Sequence, residues 1–162
     1  MKTFKDSAGR EWSIALTMGA MHALKQLPVG RDDESVDLLD PQSGEPTLFI
    51  RLHTDDWLMI GVLQALLRKQ MLKQGVSDED LIDAIDGATY ETARAAFFAE
   101  WSDFFLQRGQ TNLCAAMVMM KDAKAEAVEW AMEQAGKTDV RALIRQTLGT
   151  TFGKPPESLA SE

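Results

Sequence analysis

Lys2 to Leu27 reads KTFKDSAGREWSIALTMGAMHALKQL, and the order of elements in this stretch decides the fold. Trp12, Ile14 and Leu16 alternate with Glu11, Ser13 and Ala15, a period of two with one apolar face, which predicts a strand. Phe4 falls across from that face on a first strand. Asp6-Ser7-Ala8-Gly9 makes the tight turn between them, with Gly9 supplying the positive φ that such a turn needs. At Thr17 the period changes. Thr17 caps a helix through Leu27, with Met18, Met21, Leu24 and Leu27 as its buried stripe, and Pro28 ends it. A two-stranded ribbon is marginal alone, so Phe4, Trp12 and Ile14 must pack on helices or pair with a further strand. Thr47 to Leu52, TLFIRL, is the candidate third strand.

Working outward, residues 28–46 carry three prolines and two glycines. They form an acidic loop, too long for a plain connector, in which Val36, Leu38 and Leu39 are the residues able to anchor to a core. From Thr54 the pattern is helical. Thr54 or Asp55 caps a helix to about Gln74, closed by Gly75. Its first half is apolar on nearly every face, which places it centrally, with Trp57 in the core. Ser77 caps a short helix that buries Leu81, Ile82 and Ile85 and stops at Asp86-Gly87. A third long helix, Ala88 to Gln107, shows Tyr90, Ala93, Phe97, Trp101 and Phe104 at steps of three or four, and Gly109 breaks it. A fourth, Thr111 to Ala135, has Leu113, Met117, Met120 and Ala127 on one face, with Asp122, Glu126, Glu129 and Glu133 on another. Asp139 to Leu148 reads as a last short helix. The fold class is mostly α, a helical bundle with a small N-terminal antiparallel β-ribbon. It is expected as one domain over 1–148 (ribbon 1–16, bundle 17–148), followed by a flexible tail, 149–162.

Composition narrows function by exclusion. With 45% apolar and 26% charged residues and a net charge of −8, the chain has the make-up of an ordinary globular protein. No run approaches the roughly 20 apolar residues that span a bilayer. The start reads without a signal-peptide core. The single Cys114 excludes an intrachain disulfide and fits a reducing, cytoplasmic compartment. Residues 32–56 hold eight acids against Arg51, and residues 76–103 another eight against Arg94. Between them lies a small basic island of Arg68, Lys69 and Lys73. Such an acidic surface repels phosphate backbones, so nucleic acid is not an expected partner, and neither is a membrane.

Nucleotide, zinc, calcium and nucleophile-elbow motifs are absent from the sequence. His22, His53 and Cys114 are too few for a zinc or iron site; they read as surface, boundary and small buried residues. No cofactor, metal or catalytic residue is expected, and the chain does not read as an enzyme. Asp55-Asp56 and Asp78-Glu79-Asp80 stand at helix starts, where carboxylates cap amides and meet the positive end of the dipole. The methionines are the compositional oddity. Nine occur, with Met117, Met119 and Met120 close together. Met117 and Met120 read as core filling, whereas Met119 points off the main stripe and suits an adaptable contact surface. The candidate partner-binding residues are Met119, with Asp122, Glu126 and Glu129 as an acidic rim.

The opening pattern of Phe4, Asp6, Gly9, Arg10, Trp12, Ile14 and Leu16 resembles the start of tail assembly chaperone-like proteins of tailed phages. Gly75 to Phe105, GVSDEDLIDAIDGATYETARAAFFAEWSDFF, resembles the same proteins' acidic helix start, DG break and helix ending in DFF. The likeness covers about two-thirds of the chain. After Phe105 the chain departs from it, leading into another long helix where those proteins often continue with a proline-rich stretch. The resemblance implies a non-enzymatic assembly factor in the host-cell cytoplasm. It would bind the tape measure protein, assist tail tube assembly, and leave before the virion is complete. Its expected partners are tape measure or tail tube protein, and self-association stays open. The alternative is a head-tail or tail connector subunit that stays in the virion and adds strands to a neighbour through its ribbon.

Overall fold

Strands β1 (Lys2–Lys5) and β2 (Glu11–Ile14) pair antiparallel in a register that sets Phe4 opposite Trp12. The structure, a computed structural model, describes residues 1–29, 35–119, Glu126, Glu129, Trp130 and Glu133. The chain divides into two units, Met1–Met117 and Val118–Glu162. The expected last helix (Asp139 to Leu148), the tail 149–162, Met120 and Asp122 lie outside the described residues. The first unit is mostly helical with this small ribbon at its start, as the switch of period predicts. Gly9 takes a φ of 80° in the turn.

Asp6 ties the turn together. Its carboxylate, fully buried, accepts from Arg10 N at 2.9 Å, Arg10 Nε at 2.7 Å and Trp12 Nε1 at 2.9 Å. Burial pushes the carboxyl up, but these hydrogen bonds from Trp12 and Arg10 outweigh it and hold it below its ordinary value. Arg10 also donates to Asp80 O and Ser7 N to Ala84 O, which docks the turn on the short helix described below.

Among the described residues no third strand joins the ribbon. Thr47 caps a helix, α2 (Leu48–Thr54), that buries Leu48, Phe49 and Leu52. Adjacent Leu48 and Phe49 cannot both face inward from a strand, whereas positions 48, 49 and 52 share one helix face. The open edge of β2 is instead filled by a side chain. Gln70 Oε1 accepts from Ser13 N at 3.0 Å and Gln70 Nε2 donates to Ser13 O at 2.6 Å, so one carboxamide imitates the missing strand.

Helix α1 (Met18–Lys25) follows Thr17, whose hydroxyl accepts from Ala20 N, and buries Met21 and Leu24. Met18 is exposed, a correction to the expected stripe: it stands at the first helical position, at the end of the row. The described part of the acidic loop is docked. Val36 and Leu38 are buried, and Leu38 O accepts from the buried Trp101 Nε1 at 2.9 Å.

Helix α3 (Asp56–Gln74) starts at Asp55, whose carboxylate accepts from Trp57 N and Leu58 N, and ends at Gly75 with φ 66°. It packs against β2, α1, α2 and α4 (Asp78–Asp83), the central place expected of it. Its buried side is Leu58, Met59, Val62, Leu63, Leu67 and Met71. Trp57 is 49% exposed, against the expectation that it is core. It heads a row at steps of four, three and four that continues through Gly61 and Gln64 to Arg68, which is the outer row of the helix.

Helix α4 is entered through a reciprocal capping box between Ser77 and Asp80 and buries Leu81. Ile82, expected inside, is exposed, since so short a helix buries one narrow side. Helix α5 (Gly87–Gln107) starts at Asp86, which caps Thr89 N. It buries Thr89, Ala93, Phe97, Trp101 and Phe105, a row of strict four-residue steps, with Glu100 beside them. Phe104, expected on the stripe, is half-buried. Steps of four advance about 40° each, so the buried row winds around the helix and takes in Phe105 instead.

Candidate functional site

Four of the carboxylates at described helix starts have structural work. Asp55, Asp80 and Asp86 cap amides, and Asp56 accepts from the Tyr90 hydroxyl at 2.7 Å, joining α3 to α5. Burial first, and then the Asp56 carboxylate, push the Tyr90 phenol well up. A phenol so disfavoured as an anion stays a hydrogen-bond donor and is no base near neutral pH. Among the described residues, no group of three or more His, Cys, Asp or Glu could hold a metal ion. Among the same residues, no helix is long and apolar enough to cross a membrane.

The three potential nucleophile or ligand residues are separately occupied. His22 is exposed on α1. His53 Nδ1 donates to Phe49 O at 2.9 Å, and its ring lies 3.8 Å from that of Phe98 and 4.4 Å from that of Phe49. Cys114 is buried in the core with Met117, and its thiol donates to Ser102 O at 3.2 Å. Each is a packed or surface residue, and the structure brings none of them together.

Two buried charges were not visible as such in the sequence. Asp6 signalled only a turn. Glu100 read as one more acid in an acid-rich helix, yet it is buried on α5. Its Oε1 accepts from Leu16 N at 3.4 Å, and its Oε2 pairs with the amino group of Met1. Alongside, Lys2 Nζ meets Asp103 at 2.8 Å. These contacts fix β1 and the end of β2 to α5.

What remains is surface. Residues 111–119 are helical, and so are Glu126, Glu129, Trp130 and Glu133. In the second unit Met119 is 72% exposed, Val118 is exposed beside it, and Glu126 and Glu129 are exposed acids. Asp122, the remaining member of the expected rim, lies outside the described residues. Trp130, 64% exposed, was missed. Its signal was available: on the expected helix a tryptophan four residues after Glu126 shares that acid's side. An exposed methionine and tryptophan among carboxylates can do no bond chemistry. They can bury apolar area against a partner while charge selects that partner.

No family model, curated protein or solved structure matches the chain. The site therefore rests on its own geometry.

Proposed function

We propose that this chain is a non-enzymatic assembly chaperone of a tailed phage, working in the host-cell cytoplasm. It binds the tape measure protein and assists tail tube assembly around it. The observation that carries the reading is the exposed pair Val118 and Met119, with Trp130 among the exposed acids Glu126 and Glu129. A long amphipathic client helix needs an adaptable apolar surface to cover it, and an exposed thioether and an exposed indole are suited to one. The acids keep the unloaded protein dispersed and speed the encounter without supplying most of the affinity. The phage assignment itself is supported by the likeness of Phe4 to Leu16 and of Gly75 to Phe105 to tail assembly chaperone-like proteins.

Two measurements test it. Co-expression with the matching tape measure protein keeps that protein in the supernatant, whereas the tape measure protein alone precipitates. Mass spectrometry of purified mature particles finds no peptides of this chain. Equal precipitation with and without the chain overturns the proposal, and stoichiometric presence in particles gives the connector alternative its place.

A further inference from the structure

The last turns of α3 carry a feature that neither the fold nor the chaperone reading uses. Arg68, Lys69 and Lys73 are exposed there, and none of them takes an ion pair with a described residue. Among them Leu72 stands 76% exposed. Cations in the last turn complement the helix dipole, which accounts for Lys73 by itself. It does not account for a leucine held out in water between three cations, in a chain whose net charge is −8. Arg68 and Lys69 lie four and three residues before Leu72, so the three share one face.

The second unit carries the complement. Glu126 and Glu129 are exposed and helical, and the exposed Trp130 follows Glu126 by four residues. In both patches a charge precedes a projecting apolar side chain by one helical turn: Arg68 before Leu72, Glu126 before Trp130. Laid parallel, two such helices set leucine against indole and guanidinium against carboxylate in the same register. The signs are opposite and the spacing is equal.

We propose that the basic face of α3 around Leu72 docks the acidic segment around Trp130 of a second copy of this chain. The two patches differ, so copies join either reciprocally, in two-fold pairs that use each patch once, or head to tail in rings and open chains. The surface stands on the chain's own residues, and its test uses the chain alone, so the inference does not depend on the chaperone reading. Glu126 and Glu129 serve both readings, and a client and a second copy compete for them.

Sedimentation equilibrium of the full chain over rising concentration tests it. The expected result is association to a dimer or larger at low salt, weakened about tenfold or more at about 0.5 M salt, where charges are screened within a few ångströms. The triple change Arg68→Glu, Lys69→Glu, Lys73→Glu and the double change Glu126→Lys, Glu129→Lys each leave a monomer. An equimolar mixture of the two variants associates again, which also shows that both are folded. Leu72→Ser weakens association with the charges untouched. A monomer at all concentrations overturns the proposal, as does association that the variants leave unchanged. It is equally overturned if the charge changes shift the melting midpoint while the mass stays monomeric, the result expected of a contact inside one copy.

Discussion

The inner row of α5 and the outer row of α3 each contain a tryptophan within an apolar stretch of a long helix, yet they behave oppositely. Trp101 is fully buried, its ring tilted against those of Phe97 and Phe105 and its Nε1 on Leu38 O, while Trp57 is half exposed. The residues immediately beside them do not explain the difference. The residues four and seven along do: Phe97 and Phe105 extend one row, Gly61, Gln64 and Arg68 the other. Local apolar density says that a helix is buried somewhere; the row says which side.

The comparison makes its largest prediction at Trp101. Trp101→Ala should cost about 3–5 kcal/mol and lower the thermal midpoint by about 10 °C or more. Equal losses for Trp101→Ala and Trp57→Ala would break the distinction between the rows.

Next comes the buried carboxylate of the turn. Asp6→Ala leaves Trp12 Nε1 and the Arg10 amide without their shared acceptor and should cost about 2–3 kcal/mol. Asp6 also sharpens the pH behaviour. Its folded carboxyl lies below its ordinary value because Trp12 and Arg10 donate to the anion, against the upward push of burial. Its contribution is therefore complete above the unfolded value of about 3.9 and is lost as pH falls through the lower folded value. Asp37, Asp80 and Asp86 are lowered too, by hydrogen bonds first from Lys25, Ser77 and the Thr89 amide, so the parent's acid loss has several sources. Asp6→Asn should remove one of them, and melting at pH 7 and pH 3 should show a smaller difference in the variant than in the parent.

A smaller effect is expected at the ribbon's outer edge. Gln70→Ala removes both bonds to Ser13 and should cost about 1–2 kcal/mol by chemical denaturation. An unchanged midpoint would mean that water replaces the carboxamide at no cost. The smallest effects belong to the outer row and its neighbours. Trp57→Ala should cost about 1 kcal/mol or less, and Leu72→Ser should stay within about 0.5 kcal/mol.

These differences also say what the sequence could disclose. The ends of α3 were legible because both signals are local: Asp55 accepts from amides two and three residues on, and Gly75 adopts the left-handed conformation itself. The ribbon was legible from its alternation. The absence of a third strand was not, because the residue that fills the edge of β2 is Gln70, 57 positions from Ser13. Glu100 was opaque for the same reason, its partners lying at Leu16 and Met1 on another element. At the candidate site Met119 was picked out by falling off its helix stripe. Trp130 was passed over because its neighbours are acids, although exposed aromatics are enriched at contact surfaces. Long-range side-chain contacts, more than helix or strand type, separate what was readable from what was not.

The contrast between buried rows that hold the fold and exposed apolar residues proposed to serve a partner is tested most directly at Met119. The measurement is the soluble fraction of co-expressed tape measure protein, taken with the parent chain, with Met119→Gln and with Glu126→Gln, after confirming that all three melt within about 1–2 °C of one another. The expected result is a clear loss of soluble client with Met119→Gln and a lesser loss with Glu126→Gln. Soluble client undiminished by Met119→Gln, at equal expression, contradicts the account.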